Sequence, residues 1–566
     1  MTITLPETAH ETLEWGWAQW RPAFDELRAT PITATNGSTW LAAWGRISNL
    51  ISETYSRLSV ATTVDTTDTT AETRFRAFIS EVYPQWIAAD HDLKQMLLAS
   101  GIEPDGFTVP LRDMRADAAL FREANLPLLS EERRLGNEYN KVIGAQTVTW
   151  EGQELTLQQV GPLLQDPDRA VRERAWRLAS ERQLADRTAI NAVWQDLLAL
   201  RRTLAANADM PDYRAYAWQL RKRFDYTPDD CLRFHEAIET TAVPAAARVY
   251  ARRAARLGLD RLRPWDVEGR AKGETMLRPF ADGTDLAARS EAVLHKVDPE
   301  LGANFTIMRH EQLLDLESRK GKAPGGYCTS FPVVGRPFIF MNAVGLPTDV
   351  RTLLHEAGHA FHVFATNDLP YHHQRSYPIE FAEVASMAME LLAAPYLRAH
   401  DGGFYSDEAA YARARVEHLE GILTFWPYMA VVDGFQHWVY TNPDEAADPA
   451  ACDAAWDRLW ARFMGGIDWS SLDAERMTGW HRKLHIYRYP FYYVEYGLAQ
   501  LGAVQVWRNA LSDQAAAVAA YRKALALGGT ATIPDLFATA GARFAFDPAT
   551  MGQAVDLIET TIAELE

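Results

Sequence analysis

The chain has 566 residues, 48% of them hydrophobic and 23% charged, with 33 Gly and 28 Pro; this ordinary balance excludes disordered, collagen-like and coiled-coil chains and allows a large buried core. Lys and Arg number 57 against 75 Asp and Glu, and the resulting formal charge of −18 repels phosphate backbones and anionic membranes, so no nucleic-acid partner is expected. Three scattered cysteines, Cys231, Cys328 and Cys452, cannot build a disulfide framework or a Cys-rich zinc module, and a reducing cytoplasm fits them best.

Met1–Thr8 has neither a basic nor an apolar leader pattern, and no uncharged apolar run approaches the roughly 20 residues that span a bilayer. Neither export nor membrane insertion is expected. Residues 1–140 read as an N-terminal helical lobe, in which the Thr-rich stretch Ala61–Thr73 is expected to be a surface loop. Thr147–Trp150 and Glu154–Leu157 alternate around a Gly and predict a β-hairpin. That hairpin marks a boundary, with residues 141–566 as the catalytic region.

A charged helix is expected from about Arg169, and Trp194, Leu197, Leu198, Leu200 and Leu204 recur at helical spacing, as apolar residues do through most of the chain. The fold class is therefore mainly α. The exception is a second β-like region from about Phe305 to Met341, with a turn over Lys320–Tyr327 and a short buried strand at Phe338–Met341. The edge of that strand is a candidate for binding an extended peptide.

Next comes Thr352–His362, which contains His355-Glu356-Ala-Gly-His359. On a helix, residues four apart project from one face a turn apart, so both imidazoles can reach one tetrahedral Zn²⁺, with Glu356 placed beside them to act on a water. Metzincins require Gly and His at the positions held here by His362 and Ala365, which excludes that class. His362 is not counted as a ligand, and His372 and His373 are expected in an exposed loop.

A catalytic zinc needs a third protein ligand. Pro378–Leu392 is apolar around nearly its whole circumference apart from Ser386 and three carboxylates, Glu380, Glu383 and Glu390. Buried carboxylates are costly unless paired or metal-bound, so one of the three is expected to ligate and another to hold a ligating His. Near the C-terminus, His485–Gly497 is dense in Tyr. The block is either an aromatic core or a source of hydrogen-bond donors for a developing oxyanion.

The segments His355–His362, Pro378–Met387 and His485–Gly497, followed by Ala524–Leu536 and Ala540–Ala542, resemble the oligoendopeptidase F family, relatives of thimet oligopeptidase and neurolysin. The resemblance runs from about residue 140 to 560. It implies a large two-lobed helical metallopeptidase fold with a small β-sheet near the active site and a deep substrate channel. It further implies one Zn²⁺ per chain on His355, His359 and Glu383, Glu356 as general base, and short unstructured peptides as substrates. By the same resemblance His485 and Tyr496 stabilise the transition state, while Tyr489 and Tyr493 line the substrate wall.

Three alternatives stand beside this reading: a metallocarboxypeptidase using Arg488 to hold a free carboxylate, a non-catalytic helical protein with a structural metal, and a metal-dependent amidase. Oligomeric state and cleavage preference are not legible in the sequence.

Overall fold

The structure, a computed structural model, describes residues 4–566. Among these the regular structure is helical but for five short strands: β1 (Thr147–Trp150), β2 (Gln153–Thr156), β3 (Leu314–Glu317), β4 (Tyr327–Phe331) and β5 (Arg336–Ala343). Among the described residues no helix is long and apolar enough to cross a membrane. The predicted hairpin forms as β1–β2, with Glu151 and Gly152 both at positive φ in its turn.

Two compact units each gather several stretches of chain. The first takes the residues up to Ala118, then Leu277–Ala414 and Ala499–Phe544; the second takes Ala119–Met276, Arg415–Leu498 and Ala545–Glu566.

In the first unit the N-terminal helices close on an aromatic core containing Trp20, Phe24, Trp40, Trp44, Phe78 and Phe107. The helix Gly37–Val64 also carries a polar row that grips the sheet. Glu53, nearly inaccessible, accepts from Val333 N at 2.7 Å and Val334 N at 3.2 Å. Thr63 Oγ1 meets the Tyr327 hydroxyl at 2.5 Å, Thr329 Oγ1 donates to Ser56 Oγ at 3.4 Å, and Arg57 lies over the Phe331 ring. These contacts seat β4 and the turn that follows it.

The sheet order is β3-β5-β4, with β3 parallel and β4 antiparallel to β5. Phe338–Met341 is thus central rather than an edge, and no open ladder remains along it for a peptide. Its nearly continuous burial reflects cover on both faces. Two further expectations are corrected. Phe305–His310 is helical, because Asp298 caps a helix that starts at Pro299 and runs through His310. Ala61–Val64 continues the long helix and Thr69 opens the next under an Asp68 cap, leaving only a short turn of the expected Thr-rich loop.

In the second unit, the long helices Pro228–Leu257 and Glu408–Thr441 frame the core, the latter continuing from the first. Buried Arg201 pairs with Glu132 at 2.7 Å and donates to the Tyr440 hydroxyl and to the Ile486 and Tyr487 carbonyls. A few residues on, Phe491 is held at φ 62°, its N–H donating to Gln436 Oε1 at 2.7 Å and its carbonyl accepting from Arg223. Arg223 also pairs with buried Glu495 at 2.7 Å. A bulky residue at positive φ is strained and persists only where neighbours over-determine it. These partners supply that constraint and fix the course of the Tyr-rich block.

Candidate active site

The helix Pro347–Thr366 begins at a proline, with Asp349 Oδ2 accepting from Val344 N and Leu346 N, both at 2.8 Å. Roughly two to three turns along it lie His355, Glu356 and His359. Against it packs Ile379–Ala393, whose Phe381, Val384, Ala385, Ala388 and Met389 are wholly covered, as the unbroken apolar pattern predicts. The contact is unusually close at Gly358. A Cβ there would sit 2.4 Å from the Ala385 carbonyl oxygen and 2.5 Å from Ser386 Cα, so only glycine permits this spacing.

That approach brings Glu383 to the histidine pair. His355 Nε2 and His359 Nε2 lie 3.4 and 3.7 Å from Glu383 Oε2. Both exceed the usual hydrogen-bond range, yet they match the edge of about 3.4 Å of a tetrahedron whose ligands sit roughly 2.1 Å from a central ion. The three ligand atoms all lie within 4.8 Å of one another, a spacing that fits one Zn²⁺. Of the three carboxylates, Glu383 converges with the histidines, while Glu390 Oε1 hydrogen-bonds His355 Nδ1 at 2.8 Å and leaves Nε2 facing Glu383. Glu380, in the first turn, is buried. Ser386 Oγ donates to Glu383 Oε2 at 3.2 Å, and a backbone hydrogen bond to Ala382 holds His359.

Burial opposes charge on both histidines, with opposite outcomes. For His355 the Glu383 and Glu390 carboxylates outweigh it and push the pKa well above 6.5. For His359 burial prevails and the pKa falls to about 4. Glu356 is 8% exposed, and burial raises its carboxyl to about 7 even though the Cys328 backbone N–H of β4 donates to it. A carboxyl poised near neutrality suits a general base. The Cys328 contact is invisible in sequence, because it depends on strand register.

Other histidines fall elsewhere. His362 is wholly buried, stacked on Tyr377 with ring centroids 3.4 Å apart, and burial keeps it neutral. His372 and His373 are half-buried rather than exposed, the first bonded to Asn49 Oδ1 at 2.7 Å and the second packed 4.0 Å from the Trp44 ring. The Trp-rich N-terminal core, unreadable from the local sequence, covers them.

The remaining predicted residues belong to the second unit and gather around His485. Its ring centroid lies 5.0 Å from Tyr493, 6.0 Å from Tyr496 and 6.2 Å from Tyr489. Tyr489 is exposed, Tyr493 buried, and Tyr496 half-buried. Tyr487, by contrast, is core, stacked on Tyr139 at 4.0 Å. The Arg488 stem packs against Gly136. Lys483, a residue with no motif to mark it in the sequence, lies over the Tyr493 ring at 3.8 Å and has its pKa lowered to about 7 by burial.

The family model for peptidase family M3 matches residues 162–553. Among curated relatives, oligopeptidase PepF of Bacillus subtilis (strain 168) is 26% identical over 272 residues, covering 47% of this chain and 39% of its own. An oligoendopeptidase F homolog of Borreliella burgdorferi is 23% identical over 267 residues, 46% of this chain and 43% of its own. The aligned region thus spans less than half the length of either relative. Among solved structures, PZ peptidase A with an inhibitor superposes at TM-score 0.87 and 26% identity, covering 100% of this chain and 99% of that one. A chain described as oligoendopeptidase F gives the same TM-score and identity over 99% of this chain and 98% of its own.

Proposed function

The chain belongs to peptidase family M3, and we propose that it is a zinc-dependent oligoendopeptidase that cuts internal bonds of short unstructured peptides. The observation that carries this reading is the convergence of His355 Nε2 and His359 Nε2 on Glu383 Oε2 at tetrahedral-edge distances, with Glu356 buried alongside. Zinc bound by these three residues would polarise the scissile carbonyl and acidify water.

The protein's own residues do the rest. Glu356 takes the proton of the attacking water and returns it to the leaving amine. The Cys328 N–H aims its carboxylate, Glu390 fixes the His355 ring and Ser386 fixes the Glu383 carboxylate. From the family resemblance, His485 and Tyr496 serve as donors to the developing oxyanion, and Tyr489 and Tyr493 line the substrate. The division into an N-terminal lobe of residues 1–140 and a catalytic region of residues 141–566 belongs to the same proposal. So does a cytoplasmic location, supported by three cysteines that form no disulfide.

The test is cleavage of an internally quenched peptide blocked at both ends, by wild type and Glu356→Gln, with zinc measured on both. Cleavage by wild type alone, with equal zinc in both proteins, is expected. Equal turnover would remove Glu356 from the reaction; hydrolysis confined to peptides with a free C-terminus would replace the endopeptidase by a carboxypeptidase.

A further inference from the structure

Two helices of the second unit each carry a pair of metal-capable side chains one turn apart. Cys231 and His235 lie on Pro228–Leu257, and Asp433 and His437 lie on Glu408–Thr441. Residues four apart on a helix share a face, and here the two faces meet. The ligand atoms of Cys231, Asp433 and His437 all lie within 4.8 Å of one another. His437 Nε2 is 3.3 Å from Asp433 Oδ2, close to the edge of about 3.4 Å expected around a tetrahedral ion. His235 Nε2 bonds the same carboxylate oxygen at 2.9 Å.

All four side chains are buried, Cys231 and Asp433 completely. A buried Asp–His ion pair would account for His235 and for one oxygen of Asp433. It leaves Asp433 Oδ1 and His437 Nε2 buried without a hydrogen-bond partner, which buried polar groups rarely tolerate. His437 is flanked by the rings of Trp218 and Phe491, which offer it nothing polar. A cation between the two helices would satisfy these groups together.

We propose that Cys231, Asp433 and His437 form a second metal site, separate from the His355–His359–Glu383 cluster, with His235 fixing the Asp433 carboxylate. A thiolate, an imidazole and a carboxylate select a borderline-soft divalent ion of the zinc class over magnesium or calcium. Uptake of the ion displaces the Cys231 thiol proton to solvent. Full burial denies a substrate access, so the ion clamps one long helix to the other and takes no part in peptide cleavage.

Two measurements on the intact chain test this. Protein produced with ample zinc should carry two ions per chain by mass-spectrometric metal analysis. A His355→Ala/His359→Ala double variant should keep one, and Cys231→Ser should also keep one. Protein produced in cobalt-supplemented minimal medium should show a thiolate-to-cobalt charge-transfer band, which imidazole and carboxylate ligands alone cannot give. The band should persist in the double histidine variant and vanish in Cys231→Ser. Wild type without that band overturns the proposal without reliance on any variant's folding. So does a band that survives Cys231→Ser, or a double histidine variant that holds no metal.

Discussion

Gly358→Ala isolates the helix contact on which the active-site geometry depends. The added methyl would meet Ala385 O at 2.4 Å, Ser386 Cα at 2.5 Å and Ala385 C at 2.8 Å, all backbone atoms that no rotamer change can move. Reaching an ordinary contact of 3.4 Å requires the helices to part by about 1 Å. Alanine gains about 1 kcal/mol of helix propensity over glycine, whereas forced overpacking costs about 1–3 kcal/mol, so a net loss of up to about 2 kcal/mol is expected. The functional effect should be larger. Ligand positions tolerate roughly 0.2 Å, and a displacement of about 1 Å near the chemistry costs on the order of 10²-fold in rate. The internal control is Gly421→Ala: Gly421 is exposed inside a helix with nothing within 4 Å of its Cβ position, so stability should rise by up to about 1 kcal/mol with activity unchanged. Zinc affinity by chelator competition, kcat/KM on the quenched peptide and urea unfolding read all three effects. Wild-type zinc affinity and turnover in Gly358→Ala would refute the reasoning.

Glu390→Ala leaves His355 Nδ1 without its carboxylate and should weaken zinc binding by about 10–100-fold in the same competition assay, with turnover restored at high zinc. Tyr496→Phe should lower kcat by on the order of 10²-fold with KM little changed; a KM effect alone would move Tyr496 from oxyanion stabilisation to ground-state binding. Lys483 gives a pH signature. Its folded pKa of about 7 lies below the unfolded value of roughly 10.4, so the folded state binds fewer protons between them. Wild-type stability should therefore fall as pH drops from 10 to 7 relative to Lys483→Met and run parallel to it below 7; chemical denaturation across that range, giving parallel curves throughout, would contradict the assignment.

The sequence was most informative where period and chemistry coincide. Two histidines four apart on one helix face, followed by three carboxylates in an otherwise apolar helix, required burial and convergence, and the structure brings Glu383 and Glu390 to the histidines in different ways. Strand existence was equally legible at Phe338–Met341, but strand neighbours were not: the apolar run that marks β5 as buried carries no information about which edges are paired, and pairing on both sides removes the peptide-binding edge expected there. His372 and His373 were misread for a related reason, since the tryptophan core that covers them lies more than 300 residues upstream. Cys231-x-x-x-His235 and Asp433-x-x-x-His437 are each unremarkable alone, and only the docking of two distant helices joins them.

The polar grip of Gly37–Val64 on β4 bears on where this protein can be cut. The family match begins at residue 162, yet Glu53, Ser56 and Thr63 hold the strand whose Cys328 N–H reaches Glu356. A chain trimmed to the matched segment would retain every residue named in the chemistry and lose the backing of the strand that aims one of them. It would also bare one side of β4, whose Phe331 now lies beneath Arg57, as a template for aggregation. The limits of the family-model match and those of the smallest stably folded chain therefore differ, and truncation for expression should begin upstream of Gly37.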